Sequence, residues 1–444
     1  MKRILLLKGL TIGGLALLLL IPLAMIEGQI TARNARQIQT ETEVAQLTAG
    51  RQQLTGPLLV VEYEEESIFE EVNESTKAVV KHSQWTKGHQ VIVPRSLTLE
   101  GTARVEERRR GLFKAQAYEL DGVLKGEVVI PKGLNLEGGH RLRLGRAFAV
   151  VGLSDLRGIR SQPELSWNGR TYAFQPGAPF GLVNHGIHVD LGPAVALEGV
   201  PSTFELPLAL KGSGSFFMAP VGETTRVTLR SPWSTPSFQG RFAATHAEGP
   251  QGFTATWEVF HLARNLAAIL EGKGQGEEAF GVAFQKGISV YLMSERAVKY
   301  GFLFVGLTFA AFFFFEMLRR LPIHPIQYLL VGLALAIFFL LLLSLSERMA
   351  FEGAYALAAG ACTLLLGSYL AKVLHSAKRG WGFAGGLGLL FATLYVLIAS
   401  EDNALLMGSI LTFLALAGVM LGTRHLDWYA LSREATDKEL SLTE

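Results

Sequence analysis

The sequence predicts a membrane α-helical bundle of six transmembrane helices, with a large all-β, sandwich-like domain inserted between helices 1 and 2. Three observations predict it. Six uncharged apolar runs reach or approach the length that crosses a bilayer. Basic residues collect on alternate loops between those runs. Between the first and second runs, apolar residues recur at period two rather than at helical spacing. Composition agrees, since only 18% of the 444 residues are charged, against roughly 25% in an ordinary soluble domain.

Residues 1–8 form a basic start (Lys2, Arg3, Lys8), and residues 9–26 form the first run. A cleaved secretory signal has an apolar stretch of about 7–15 residues and a small-x-small cleavage site. This run holds 18 uncharged residues and ends Leu23-Ala24-Met25-Ile26 with no such site, so it reads as an uncleaved signal anchor. Residues 27–56 are polar, and Ile30, Asn34, Ile38 and Ala45 recur near helical spacing. They predict a stalk helix that stops at Gly50, or by Gly56-Pro57 at the latest.

Residues 57–299 predict the β-rich domain. Leu97, Leu99, Ala103 and Val105 alternate with polar residues, as do Phe204, Leu206, Leu208 and Leu210, and Phe253, Ala255, Trp257 and Val259. That period marks strands with one dry face. Further strands are expected at 58–63, 77–82, 112–120, 123–130, 145–153, 170–175 and 225–230, with Asp121-Gly122, Asn168-Gly169 and Pro176-Gly177 as turns. The pattern suggests antiparallel strands in a sandwich or elongated double sheet.

The remaining runs predict helices at 300–318, 325–346, 353–371, 380–400 and 403–423, followed by a tail at 424–444. Eleven basic residues lie at the N-terminus, in alternate loops and in the tail, whereas the opposite short loops hold only Arg348. The basic side is cytoplasmic. Both termini are therefore expected inside, with residues 27–299 outside. That outer segment carries 29 basic and 29 acidic residues and no cysteine. Its neutrality argues against holding a nucleic acid, and the lack of disulfides fits a bacterial periplasm. The implied location is a Gram-negative inner membrane, with membrane lipid as a partner.

No motif for catalysis, metal or cofactor emerges. HExxH, GxSxG, Walker A and a helix-opening GxGxxG are all missing from the sequence. His185 and His188 stand three apart, which puts them on opposite faces of a strand. Gly212-Ser213-Gly214-Ser215 reads as a turn, and Arg108-Arg109-Arg110 as a solvated loop beside Glu106 and Glu107. Glu316 is the most deeply placed ionisable group of the apolar runs, and its expected partners are Arg319 and Arg320, one turn on. Glu347, Glu401 and Asp402 fall at helix ends, where carboxylates face water. Gly9/Gly13 and Gly382/Gly386 have the spacing of close helix contacts.

The stretches RAVKYGFLFVGLTFAAFFFFE (296–316) and IHPIQYLLVGLALAIFFLLLLSLSE (323–347) strongly resemble the CreD-type inner membrane proteins. GQITARNARQ after the anchor, QQLTGPLL, WEVFHLARN, EEAFGVAF, AYALAAG and the closing EDNALLMGSILTFLALAGVMLGTRHLDWY extend the likeness along the chain. The resemblance implies a role in cell-envelope integrity and the envelope stress response. It assigns no catalytic residue and no cofactor. Its motif residues, of unknown role, are His324, Pro325, Gln327, Tyr328, Ser344, Ser346, Glu347, Glu401 and Asp402. The expected function is non-enzymatic, through contacts of the periplasmic β domain with envelope proteins or a periplasmic ligand. The rival expectations are a lipid or small-molecule transporter, and a receptor-like sensor working through a partner.

Overall fold

A computed structural model of the chain describes residues 2–47, 49–72, 79–110, 113–135, 141–266, 269, 278–284, 289–319, 323–400 and 404–424. It divides into two compact units, residues 37–287 and residues 1–36 with 288–444.

The unit 37–287 is built from two eight-stranded sheets. Its strands are β1 (Gln52–Val72), β2 (Val79–Ile92), β3 (Ser96–Arg110), β4 (Phe113–Val128), β5 (Leu142–Leu153), β6 (Glu164–Trp167), β7 (Arg170–Ala173), β8 (Gln175–Pro176), β9 (Gly186–Pro193), β10 (Ser202–Ser213), β11 (Ser215–Ala219), β12 (Thr224–Ser231), β13 (Ser237–Gly240), β14 (Thr245–Gly249), β15 (Gly252–Phe260) and β16 (Phe280–Ala283). One sheet runs β13-β16-β11-β1-β5-β9-β8, with β2 on β1, and the other runs β14-β15-β12-β3-β4-β10-β6-β7. Alternate residues of both sheets meet in one core, including Leu54, Leu58, Leu97, Leu99, Leu120, Leu124, Val151, Leu206, Phe216, Val227 and Trp257. Burying each such side chain is worth about 1.5–3 kcal/mol.

The double sheet agrees with the period-two reading, and three details differ from it. First, the sheets are mixed, because β1 pairs with β11 and β3 with β12 in parallel. Pairing direction leaves no mark on the period of one strand, so alternation could not distinguish the two. Second, Asp121-Gly122 is no turn. β4 runs straight through it, and Gly122 faces Gly101 of β3 in register. A Cβ on Gly122 would lie 2.7 Å from the Glu100 carbonyl oxygen, so glycine serves close backbone approach here. Asn168-Gly169, in contrast, does turn between β6 and β7, with φ of 48° and 77°. Third, β1 is buried on both faces near Val60, because Leu182 and Val183 of a crossing strap cover Val60 and Val150.

The helical segment before β1 ends at Leu47, close to the expected stop at Gly50, and β1 begins at Gln52 rather than after residue 56. The join is tightly bonded. Asp155 caps the short turn Leu156–Gly158 by accepting from the Arg157 N–H at 3.1 Å. Its carboxylate also accepts from the Gly50 N–H at 3.1 Å and the Arg157 guanidinium at 2.6 Å. Arg157 in turn donates to the Gln46 carbonyl at 2.5 Å, in the last turn of the helix, where a cation also suits the helix dipole. Gln52 is fully buried and donates to the carbonyls of Asp155 and Lys211. Deeper in the core, the Tyr118 hydroxyl donates to the Ser215 carbonyl at 2.9 Å, and burial pushes its pKa above the ordinary tyrosine range.

The helical unit contains α1 (Lys2–Leu18), α3 (Val290–Lys299), α4 (Gly301–Arg319), α5 (Pro325–Ser346), α6 (Phe351–Val373), α7 (Ala377–Ala399) and α8 (Ala404–Thr423). α2 (Leu20–Leu47) contains the division between the units. Helical bonding passes through Leu19, which bonds to Leu15 and accepts from Leu23. Pro22, having no N–H, interrupts the ladder there. Among the described residues, four helices are long and apolar enough to cross a membrane, or five if α3 and α4 count as one bent span. Residues 290–299, expected at the end of the β domain, form helix α3 and group with the helical unit. Ser289 caps that helix and Lys299 pairs with Glu295 one turn back, while Tyr291, Ser294, Ala297 and Val298 are its buried residues. Its short apolar stripe carries too little signal to stand out beside a long β segment. Of the expected glycine contacts, a Cβ at Gly9, Gly13, Gly382 or Gly386 meets nothing. Gly332 against Leu19 and Gly380 against Ala371 make the close approaches instead.

The join around Asp155 predicts an acid-sensitive fold. The hydrogen bond from the Arg157 guanidinium leads the causes that hold the Asp155 pKa at about 2, below the free value of 3.8. A depressed folded pKa stabilises the protein above the unfolded value and loses that contribution as pH falls through the folded one. Asp155→Asn should therefore lower the melting temperature at pH 7 and flatten its decline between pH 4 and pH 2. Differential scanning calorimetry across that range measures both.

Candidate functional site

Seven of the nine motif residues, His324 to Glu347, lie along α5 and at its two ends. At the start, His324 is the N-cap. Its Nδ1 accepts from the Ile326 N–H at 3.3 Å, and the Gln327 side chain accepts from the His324 N–H at 3.2 Å. Pro325 occupies the first helical position, where its missing N–H costs nothing. This is a capping box with histidine in the place usually held by serine or threonine. Tyr328, one turn in, is fully buried and donates to Glu316 Oε2 at 2.7 Å. Its ring is flanked by Phe312 at 4.7 Å and Phe309 at 5.6 Å.

Glu316 itself is buried near the end of α4. Lys8 forms an ion pair with its Oε1, and the Ile323 N–H donates to the same oxygen at 3.3 Å. Lys8 also donates to the Ile323 carbonyl at 2.9 Å. A carboxylate in an apolar bundle thus collects an ammonium, a phenol and a peptide N–H, which offset its desolvation. The expected partners, Arg319 and Arg320, have side chains outside the described part of the structure. Among the described residues, Glu316 joins α1, α4 and α5.

At the other end of α5, Ser346 donates to the Leu343 carbonyl at 2.9 Å, and Ser344 is exposed. Glu347 does not face open water as expected. Its side chain is only 10% exposed and lies 3.5 Å from Arg33. The Tyr291 hydroxyl donates to it at 3.4 Å. Glu401 and Asp402 lie outside the described residues.

A glutamate thus lies beside each end of α5: Glu316 pairs with Lys8 of α1 and Glu347 with Arg33 of α2, and each takes a tyrosine hydroxyl. Lys8 and Arg33 are separated by about 25 residues, or about 37 Å of helix at 1.5 Å per residue. That exceeds the roughly 30 Å hydrocarbon core and falls short of the 40–45 Å full bilayer. The two clusters thus have the spacing of two membrane interfaces. Sequence reasoning missed Lys8, Arg33 and Tyr291 as partners. None of the three carried a local signal, since each partner lies in a distant segment.

In the other unit, His188 and Asp190 share a face of β9. His188 Nδ1 lies 2.9 Å from the Gly177 carbonyl oxygen, and Arg146 donates to Asp190 at 2.7 Å. Among the described residues, no group of three or more His, Cys, Asp or Glu is placed to hold a metal.

A family profile described as inner membrane protein CreD matches residues 4–429. The chain belongs to the CreD family. Inner membrane protein CreD of Escherichia coli strain K12 is 35% identical over 430 residues, covering 96% of this chain and 94% of that one. The CreD match spans both units and includes every motif residue named above. Two solved structures give distant likenesses. An M1 zinc metallopeptidase from Deinococcus radiodurans is 14% identical, with a TM-score of 0.20 over 38% of each chain. A putative protease from Parabacteroides distasonis is 8% identical, with a TM-score of 0.22 over 45% of this chain and 42% of that one. Neither carries an argument about this CreD-family chain.

The Glu316 cluster is testable as a buried pair. Removing one partner of such a pair costs about 3–5 kcal/mol, while replacing both with apolar residues is close to neutral. Lys8→Met and Glu316→Leu alone should each sharply lower the melting temperature of the protein in detergent. The double substitution should recover most of the loss, as a double-mutant cycle would read.

Proposed function

We propose that this protein is a six-span inner-membrane scaffold that supports envelope integrity through contacts made by its two-sheet module, without catalysing a reaction. In this reading residues 9–26, 300–318, 325–346, 353–371, 380–400 and 403–423 cross the membrane. Both termini are cytoplasmic, and residues 27–299 lie in the periplasm. The observation that carries the reading is the pair of glutamate clusters at the ends of α5, spaced as two membrane interfaces. The eleven-to-one split of basic residues over alternate loops supports the direction. The family membership supports the inner membrane as the location. The module presents its surface to envelope proteins or a periplasmic ligand.

Transport is the second reading, and the buried Glu316 is the observation that favours it. Glu316 is paired where it lies, near a helix end rather than at mid-membrane, and this favours a clasp over a carrier site.

Cys362, the one cysteine of the chain, is buried, so the protein accepts a single reporter thiol after Cys362→Ala. Val200 is 49% exposed. Val200→Cys in that background should react with a membrane-impermeant maleimide on intact spheroplasts. Reaction only after lysis would place the module in the cytoplasm and overturn the reading. The same chain should restore detergent tolerance to cells lacking the protein, and a version with the module excised should not. Turnover of envelope glycan or lipid by the purified chain would overturn the non-enzymatic assignment.

A further inference from the structure

A cleft of about 180 Å³ opens in the two-sheet unit beside the Asn184-His185 segment that precedes β9. Three stretches of chain line it: Gln53 and Thr55 from β1, Gly152 to Ser154 from the end of β5, and Val183 to His185 from the strap that crosses the sheet. One water needs about 10–15 Å³ of such space. Sites for larger organic ligands usually run from about 300 Å³ upward. The cleft therefore has room for one small ring or the end of a longer molecule.

Its construction is specific. A Cβ on Gly152 would lie 2.8 Å from the Val183 side chain, and one on Gly186 would lie 2.6 Å from the Val151 carbonyl oxygen. Both glycines let the strap seat closely, with its Leu182 and Val183 buried against Val60 and Val150. The strap holds Phe180 at φ 64°, a conformation unfavourable for any residue but glycine. Phe180 is nonetheless 40% exposed, and its ring stacks on His89 at 4.6 Å.

The lining chemistry defines the ligand. No Lys, Arg, Asp or Glu lines the cleft, which disfavours an ion. Amide, hydroxyl and imidazole groups both donate and accept hydrogen bonds, as the hydroxyls of a sugar do. The backbone around the cleft is already used. Gln53 to Thr55 pair with Phe217 to Ala219 on one side, while Leu54 and Thr55 pair with Leu153 and Gly152 on the other. The Leu153 N–H donates to the His185 carbonyl, and the Ser154 N–H to the Gln53 carbonyl. No strand edge is left here to align an extended peptide, which binds by extending a sheet. The exposed side chains of Asn184 and His185 have no hydrogen-bond partner among the described residues and remain for a ligand. We propose that this cleft binds a single neutral sugar residue, held by Asn184 and His185. The proposal does not depend on which side of the membrane the module faces.

The test uses the full chain in phospholipid nanodiscs, because glycoside detergents would compete. Saturation-transfer NMR with glucose and with N-acetylglucosamine should show transfer to at least one of them. Asn184→Ala and His185→Ala should each weaken binding about tenfold, the equivalent of one lost hydrogen bond. Both side chains are exposed, so the variants should keep the parent melting temperature. N-acetylalanine methylamide serves as the amide control. No transfer to either sugar, transfer unchanged in both variants, or stronger transfer to the amide would overturn the proposal.

Discussion

The helical unit is constrained above all by the charge of Glu316. An unpaired carboxylate in an apolar bundle costs several kcal/mol even after relaxation, so its neighbours are fixed by what can neutralise it. Lys8 does so from the first helix, and Tyr328 and the Ile323 N–H from the segment that opens α5. Such a cluster couples parts of the chain more than 300 residues apart, with a separation of 308 between Lys8 and Glu316. Close packing of small residues also brings membrane helices together, as at Gly332 against Leu19, but it leaves a buried charge to be neutralised. The aromatic packing of Phe304, Phe338 and Phe391 fills space between helices, while the ionic cluster ties α1, α4 and α5 together.

The two-sheet unit obeys a different constraint, the need to satisfy backbone where strands meet helix and loop. Gly50, Gln52, Asp155, Arg157 and Ser213 are bonded to one another or to backbone close by. Gln52 and Ser213 are buried polar residues that act as substitutes for missing ladder bonds. A buried polar group left unpaired costs about 1–3 kcal/mol, so this join favours one path for the chain out of the helix and into β1.

Much of this was legible in the sequence because burial imposes a period. Leu97, Leu99 and Ala103, like Phe253, Ala255, Trp257 and Val259, alternate because one face of each strand is dry. The apolar runs were legible because a span needs consecutive apolar residues. Features that depend on distant partners left no local trace. Parallel pairing of β1 with β11, the glycine pair Gly101 and Gly122, and the ion pairs of Lys8 and Arg33 all depend on a second segment. At Glu316 the sequence offers Arg319 and Arg320 as local partners one turn away, whereas the partners the structure describes, Lys8 and Tyr328, come from other helices. The cleft beside Asn184 was hidden for the same reason, since its walls come from β1, β5 and the strap.

The motif at 323–347 is mostly apolar, and the structure gives most of its few polar residues fixed structural work. His324 and Gln327 bond the first turn of α5, Tyr328 bonds Glu316, Ser346 bonds a carbonyl of its own helix, and Glu347 meets Arg33 and Tyr291. A side chain whose hydrogen-bonding groups are held by the fold can leave them only by breaking those bonds. A few polar residues in an apolar motif are then what helix initiation and charge neutralisation require in a medium without water. In the two-sheet unit, exposed Asn184 and His185 have no such partners among the described residues. Recognition has more freedom there than along α5.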